Sequence, residues 1–185
     1  MNIVAILLAA GHGTRFGGDK LLHPLPSGEP IGIASARKLI TVFEHCIVVV
    51  RETDQALQQA LRSLNCQVVT QSNPDAGMGD NLALGVAASQ NADGWVVALG
   101  DMPWIQNDTL KQIRQNVENG VLITAPTFNN QRGHPVGFNQ CFGQQLLALQ
   151  GDSGAKSILK NHDIQLLPVD DAGVLRDVDS KADLI

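Results

Sequence analysis

Residues 3 to 20 read IVAILLAAGHGTRFGGDK, an unbroken apolar run that gives way to four glycines, one arginine and one lysine. IVAILLA (3 to 9) has the length and continuity of a strand buried on both faces. Glycine is favoured where a backbone must take positive φ or lie close against a ligand, and Gly11, Gly13, Gly17 and Gly18 crowd one loop. Such a loop exposes backbone N–H groups, to which Arg15 adds a forked donor and Lys20 a mobile point charge. That combination suits phosphate or carboxylate oxygens. A strand ending in an anion-binding loop is how an open α/β sheet presents its ligand site.

The rest of the chain continues the rhythm. Apolar runs CIVVV (46 to 50), CQVVT (66 to 70), WVVALG (95 to 100) and VLITA (121 to 125) alternate with segments of helical character at 31 to 43, 53 to 64, 81 to 90 and 107 to 120. Thr53 and Asn107 stand where helix N-caps belong, and Gly120 where a C-cap belongs. Continuous apolar strands separated by amphipathic helices predict a mainly parallel, Rossmann-like sheet in a three-layer α/β/α sandwich. The rhythm loosens afterwards: 134 to 138 and 164 to 169 read as strands, and an antiparallel edge suits this tail. A chain of 185 residues is expected to form a single domain spanning 1–185.

Composition excludes several classes. A net charge of −5 with no basic stripe argues against a nucleic-acid partner. Cys46, Cys66 and Cys141 form no CxxC pair, so neither a zinc site nor a disulfide framework is indicated. The apolar N-terminus lacks a basic leader and meets its glycine loop too soon for a membrane span. A cytoplasmic protein with no membrane partner is expected.

Because ligands gather beyond the carboxyl ends of the strands, the segments after each strand hold the candidate chemistry. The first loop is not a phosphate-binding GxxxxGK[ST] motif, since Asp19 precedes Lys20, and GHGTRFG is a poor dinucleotide fingerprint. An NAD-dependent oxidoreductase is disfavoured accordingly. GDMPW (100 to 104) places Asp101 directly after a buried strand, where a carboxylate could meet magnesium, a cation that prefers one or two carboxylates plus phosphate oxygens; a turn aspartate is the plainer alternative. In RDVDS, Asp177 and Asp179 are two apart, so a strand would point both to one face. NPDAGMGDN sets Gly77 and Gly79 ahead of a helix whose N-terminus favours phosphate. RGHP offers Arg132 and His134 to a polar substrate, although His134 reads equally well as structural. His12, His23, His45 and His162 show no ligand spacing.

LLAAGHGTRFGGDKLL followed by GDMPW, RGHPVGF and RDVDS closely resembles the MobA-like nucleotidyltransferases, most of all the molybdenum cofactor cytidylyltransferase branch (MocA-type). The resemblance runs over almost the whole chain. It implies the nucleotide-diphospho-sugar transferase type of fold and transfer of CMP from CTP to molybdopterin with release of pyrophosphate. It also implies magnesium (Mg2+) on Asp101 and on Asp179, with Asp177 as the rival second ligand. Leu8, Ala9, Ala10 and Gly11 would meet the nucleotide through backbone groups, with Gly13 and Gly79 beside them, while Arg15 and Lys20 would bind its phosphates. LAAG and RGHPV resemble the cytidylyl branch, where guanylyl-transferring relatives tend to read LAGG. The segment GMGDNLALGV departs from the pattern at Gly79, Asp80, Asn81 and Leu84, which leaves base and acceptor open. Alternatives are another NTP, another phosphorylated acceptor such as a sugar phosphate, or a non-catalytic nucleotide-binding accessory protein. A molybdoenzyme or its chaperone is the implied recipient of the product.

Overall fold

The computed structural model describes all residues except His12, Thr14 and Ile185. His12, to which the sequence assigns no role, therefore lies outside the described residues, as does the last residue of the expected 1–185 domain.

The strands are β1 (Ile3–Ala9), β2 (His45–Arg51), β3 (Gln67–Gln71), β4 (Gly94–Leu99), β5 (Ile123–Phe128), β6 (Gln131–Arg132), β7 (Val136–Asn139) and β8 (Gln165–Pro168). The helices are α1 (Ile31–Ile40), α2 (Gln55–Arg62), α3 (Met78–Ala87), α4 (Asn107–Glu118), α5 (Gly143–Leu147) and α6 (Lys156–Asn161). β1, β2, β3 and β4 pair in parallel, ordered β3-β2-β1-β4, with Leu7 opposite Val48 on one side and Ala98 on the other.

Successive strand residues point to opposite faces. Ala5, Leu7, Ala9, Val48, Val50, Val96 and Ala98 accordingly pack with Leu39, Leu57, Leu61, Leu110, Ile113 and Val117 from α1, α2 and α4. Val4, Ile6, Ile47, Val49, Trp95 and Val97 pack with Leu82, Val86, Leu146 and Ile158 from α3, α5 and α6. Two separate cores on one sheet make the three-layer sandwich that the apolar strands predict.

The far side of the sheet departs from the expectation of a simple antiparallel edge. β7 is inserted between β4 and β5, antiparallel to both, rather than standing outside them. Asn129 and Asn130, with φ of 49° and 62°, turn β5 into β6, as a tight hairpin requires. β8 then covers the other flank of β5 in parallel. The helix caps also shift by one residue. Asp54 and Gln106, not Thr53 and Asn107, precede α2 and α4; at the other end of α4 the C-cap is Asn119, and Gly120 (φ 85°) follows it.

Asp171 is a long-range cap. Its buried carboxylate accepts from Gln106 N at 2.8 Å, Thr109 Oγ1 at 2.7 Å and Gly173 N at 2.9 Å. A negative group there also complements the N-terminus of α4. Asp171→Ala would leave three donors unpaired and is expected to cost about 3 kcal/mol. Urea denaturation checks this, and a loss below about 1 kcal/mol would refute it.

Candidate active site

The glycine loop leaves the carboxyl end of β1 with Gly13 (φ 55°) and Gly17 (φ 77°) in the left-handed region, where side chains are strained. Phe16 anchors it, buried with Ile31 and Val178 in a small third core. No motif marks Phe16 in the sequence, yet this ring joins the loop to the C-terminal acidic segment. Val178 lies between Asp177 and Asp179, and its N–H donates to Asp101 O at 2.9 Å. Three distant pieces of chain thus converge.

Asp101, Asp177 and Asp179 can each present a carboxylate oxygen within 4.8 Å of the others. Residues 176–179 form no strand. The two aspartates come together because they flank one buried side chain in an irregular segment. Asp183 Oδ2 supports the turn, accepting from Asp179 N at 3.0 Å and from Ser180 N at 2.6 Å. Those bonds, from Ser180 first, hold the Asp183 carboxyl below its ordinary range. Partial burial raises that of Asp177, and the charges of Asp179 and Asp101 add to it, opposed by its own backbone N–H and by Lys20. Asp177 is thus an anion held at a cost.

Two cations answer this charge. Lys20 Nζ lies 2.7 Å from Asp101 Oδ2, with both side chains mostly buried, and Arg15 Nη1 lies 2.9 Å from the half-exposed Asp179 Oδ2. Clustered hard oxygen donors suit magnesium or manganese, and no sulfur or imidazole competes within this group.

A cleft of about 300 Å³ opens beside them, lined by Leu8, Ala9, Ala10, Gly11, Gly13, Lys20, Gly77, Met78, Asn81, Asp101 and Asp152. Of the residues assigned to nucleotide, Arg15 and Gly79 do not line it: Arg15 pairs with Asp179 and Gly79 is turned elsewhere. A Cβ on it would come within 2.8 Å of Gln150 O, so its role is close packing of α3 against the 150–151 backbone. Gly77 lines the cleft in its place. Asp80 is also turned away, accepting from Gly77 N and Gly151 N. The α3 N-terminus is therefore already capped at Gly77, which weakens the phosphate reading of that helix end.

Asn81 stands in the sequence as a departure from the family pattern. Its amide is buried in the cleft, with Oδ1 accepting from Gln71 Nε2 at 3.1 Å. Helical spacing of three from Met78 could have placed both on one face. Nothing local marks Asp152, which arrives from 71 residues beyond Asn81.

Arg132 and His134 border a neighbouring cleft of about 190 Å³, floored by Leu82, Val97, Val136, Phe138 and Leu159 and rimmed also by Lys156. It shares Leu8, Met78 and Leu99 with the first cleft. His134 N donates to Val174 O at 2.9 Å, and its buried Nδ1 has no partner among the described residues. Burial, with Arg132 close by, lowers its pKa, so the ring is neutral at pH 7.

An α/β sheet with nucleotide-sized space beyond its parallel strands, lined by a glycine loop and cations, defines a nucleotide-handling class of protein. Residues 5–166 match the MobA-like NTP transferase domain, and the chain belongs to that family. It is a nucleotidyltransferase. Over 96% of its length it is 29% identical to the purine catabolism protein PucB of Bacillus subtilis, of which the match covers 92%. Over 64% of its length it is 34% identical to a probable molybdenum cofactor guanylyltransferase of Synechococcus elongatus, of which the match covers 60%. Among solved structures, Rv0371c of Mycobacterium tuberculosis superposes with a TM-score of 0.87 at 27% identity, over 99% of this chain and 95% of that one. The same relative has been solved with manganese, and that structure matches with a TM-score of 0.84 at 26% identity, over 99% and 96%. These likenesses support the use of a divalent cation. Among the described residues, no helix is long and apolar enough to cross a membrane.

Proposed function

We propose that this protein transfers CMP from CTP to a molybdopterin-type phosphorylated acceptor, with release of pyrophosphate. The observation that carries the reading is the convergence of the LAAG backbone, Lys20 and Asp101 on one nucleotide-sized cleft. Leu8, Ala9, Ala10, Gly11 and Gly13 offer backbone contacts to the nucleotide, and Arg15 and Lys20 take its phosphates. The apolar second cleft, with Arg132, Lys156 and His134 at its rim, suits an acceptor with a flat organic body and an anionic end.

Magnesium would be held by Asp101 and Asp179, with Asp177 adjacent, and when bound would neutralise charge on the phosphates. A phosphate monoester has a second pKa near ~6, so such an acceptor is already anionic at neutral pH and needs no general base. A neutral His134 is consistent with that. The protein's task is to align the acceptor oxygen with the α-phosphorus, opposite the leaving pyrophosphate, and to hold the charge. The product would pass in the cytoplasm to a molybdoenzyme or its chaperone.

A guanylyl-transferring reading is favoured by relatives named probable molybdenum cofactor guanylyltransferase. Pyrophosphate release from CTP, GTP, ATP and UTP, with and without molybdopterin, decides between them. Release is expected from CTP alone and only with molybdopterin present. Preference for GTP would overturn the base assignment, and silence with every nucleotide would overturn the acceptor.

A further inference from the structure

Arg15 and Lys20 already have anionic partners in the free protein. Lys20 Nζ sits 2.7 Å from Asp101 Oδ2 and 4.0 Å from Asp179 Oδ1, and Arg15 closes on the other oxygen of Asp179. The two pairs differ in weight. Lys20 and Asp101 are 13% and 22% exposed, whereas Arg15 is 81% exposed, and solvent screens an ion pair that open.

We propose, resting on the reading of the site given above, that Lys20 is the exchangeable internal counter-ion of the carboxylate trio. A divalent cation and the nucleotide phosphates then bind with positive coupling, because each takes over one half of the Lys20–Asp101 pair. A cation arriving alone displaces an ammonium and strands it in a partly closed pocket. Phosphates arriving alone draw Lys20 away and leave three carboxylates facing one another. When both arrive, every charge keeps a partner. The coupling is reciprocal, so nucleotide raises affinity for the cation by the factor that the cation raises affinity for nucleotide. Gly17 (φ 77°) and Gly18 precede Lys20, whose N–H donates to Gly18 O at 2.8 Å, so the lysine leaves a tight glycine turn.

The proposal yields a result that a purely phosphate-binding lysine would not. Removing Lys20 improves metal binding by the nucleotide-free protein. Mn2+ would be titrated into wild type, Lys20→Met, Lys111→Met and Asp101→Asn, with free Mn2+ read by electron paramagnetic resonance. Lys20→Met is expected to bind Mn2+ at least about fivefold more tightly than wild type. Lys111→Met, which removes an equal charge from an exposed surface pair with Asp108 on α4, should stay within about twofold. Equal or weaker binding by Lys20→Met, or an equal gain in Lys111→Met, overturns the proposal while leaving the carboxylate site standing. Mn2+ binding that survives Asp101→Asn, or is absent from both wild type and Lys20→Met, brings down the site reading and the proposal together. Amide hydrogen exchange on the wild-type protein gives a test free of variants. Mn2+ alone should speed exchange at residues 15–20, and Mn2+ with CTP should slow it. No change with Mn2+ alone overturns the exchange.

Discussion

Asp101→Ala is expected to lower the rate of pyrophosphate release by at least about 10³-fold while the protein stays folded. The fold should survive because the bond that ties this turn to the C-terminal segment is made by the backbone oxygen of Asp101, which accepts from Val178 N. The side chain's partner is Lys20, which keeps Asp179 at 4.0 Å after the substitution. Removing one of three mutually repelling carboxylates also relieves strain on the others. Activity has no such reserve under the proposed mechanism, since Asp101 is both a cation ligand and the partner of the lysine. Matched circular dichroism and thermal melting would accompany the rate measurement. Retention of a tenth of the wild-type rate would sink the assignment of Asp101.

Gly133→Ala should destabilise the fold and act on the site from behind. A Cβ at Gly133 would lie 2.2 Å from Val174 O and 2.8 Å from Val174 C, both backbone atoms that no rotamer change can move. Gly133 N donates to Pro126 O at 2.8 Å and His134 N to Val174 O at 2.9 Å, so β6, β5 and the 172–175 turn are locked together here. Forcing them apart costs about 3 kcal/mol. In a domain of this size that lowers Tm by roughly 6–12 °C. The displaced turn leads directly to Asp177 and Asp179, so Mn2+ affinity should fall with it. A Tm within about 2 °C of wild type would show that the turn yields freely.

Much of this architecture was legible in the chain. β1, β2 and β4 could be read because a strand buried on both faces is apolar along its centre, and no neighbour is needed to interpret it; β3, half-exposed at the sheet edge, follows from its place in the alternation. Asp101 was legible for a related reason, since a polar residue directly after a buried strand must emerge at the sheet's carboxyl edge, and Arg15 and Lys20 were legible because they accompany a glycine-crowded loop at that edge. The resemblance supplied what spacing could not, the pairing of GDMPW with RDVDS. The tail was harder. Short strands such as β6 and β8 carry no period long enough to show direction, and the insertion of β7 depends on which edge of β4 was left free.

The parallel core, the glycine loop and the residue types at its mouth are set by burial pattern and glycine spacing, which are local properties of the chain. Tertiary structure decided which of those residues meet. It buried Phe16 against Val178 and so brought the loop to Asp177 and Asp179. It turned Gly79 into a packing contact, brought Asn81 and Asp152 into the cleft, and seated Lys20 on Asp101. Those outcomes depend on distances between segments remote in sequence, and only the packing of the two cores on the sheet sets such distances.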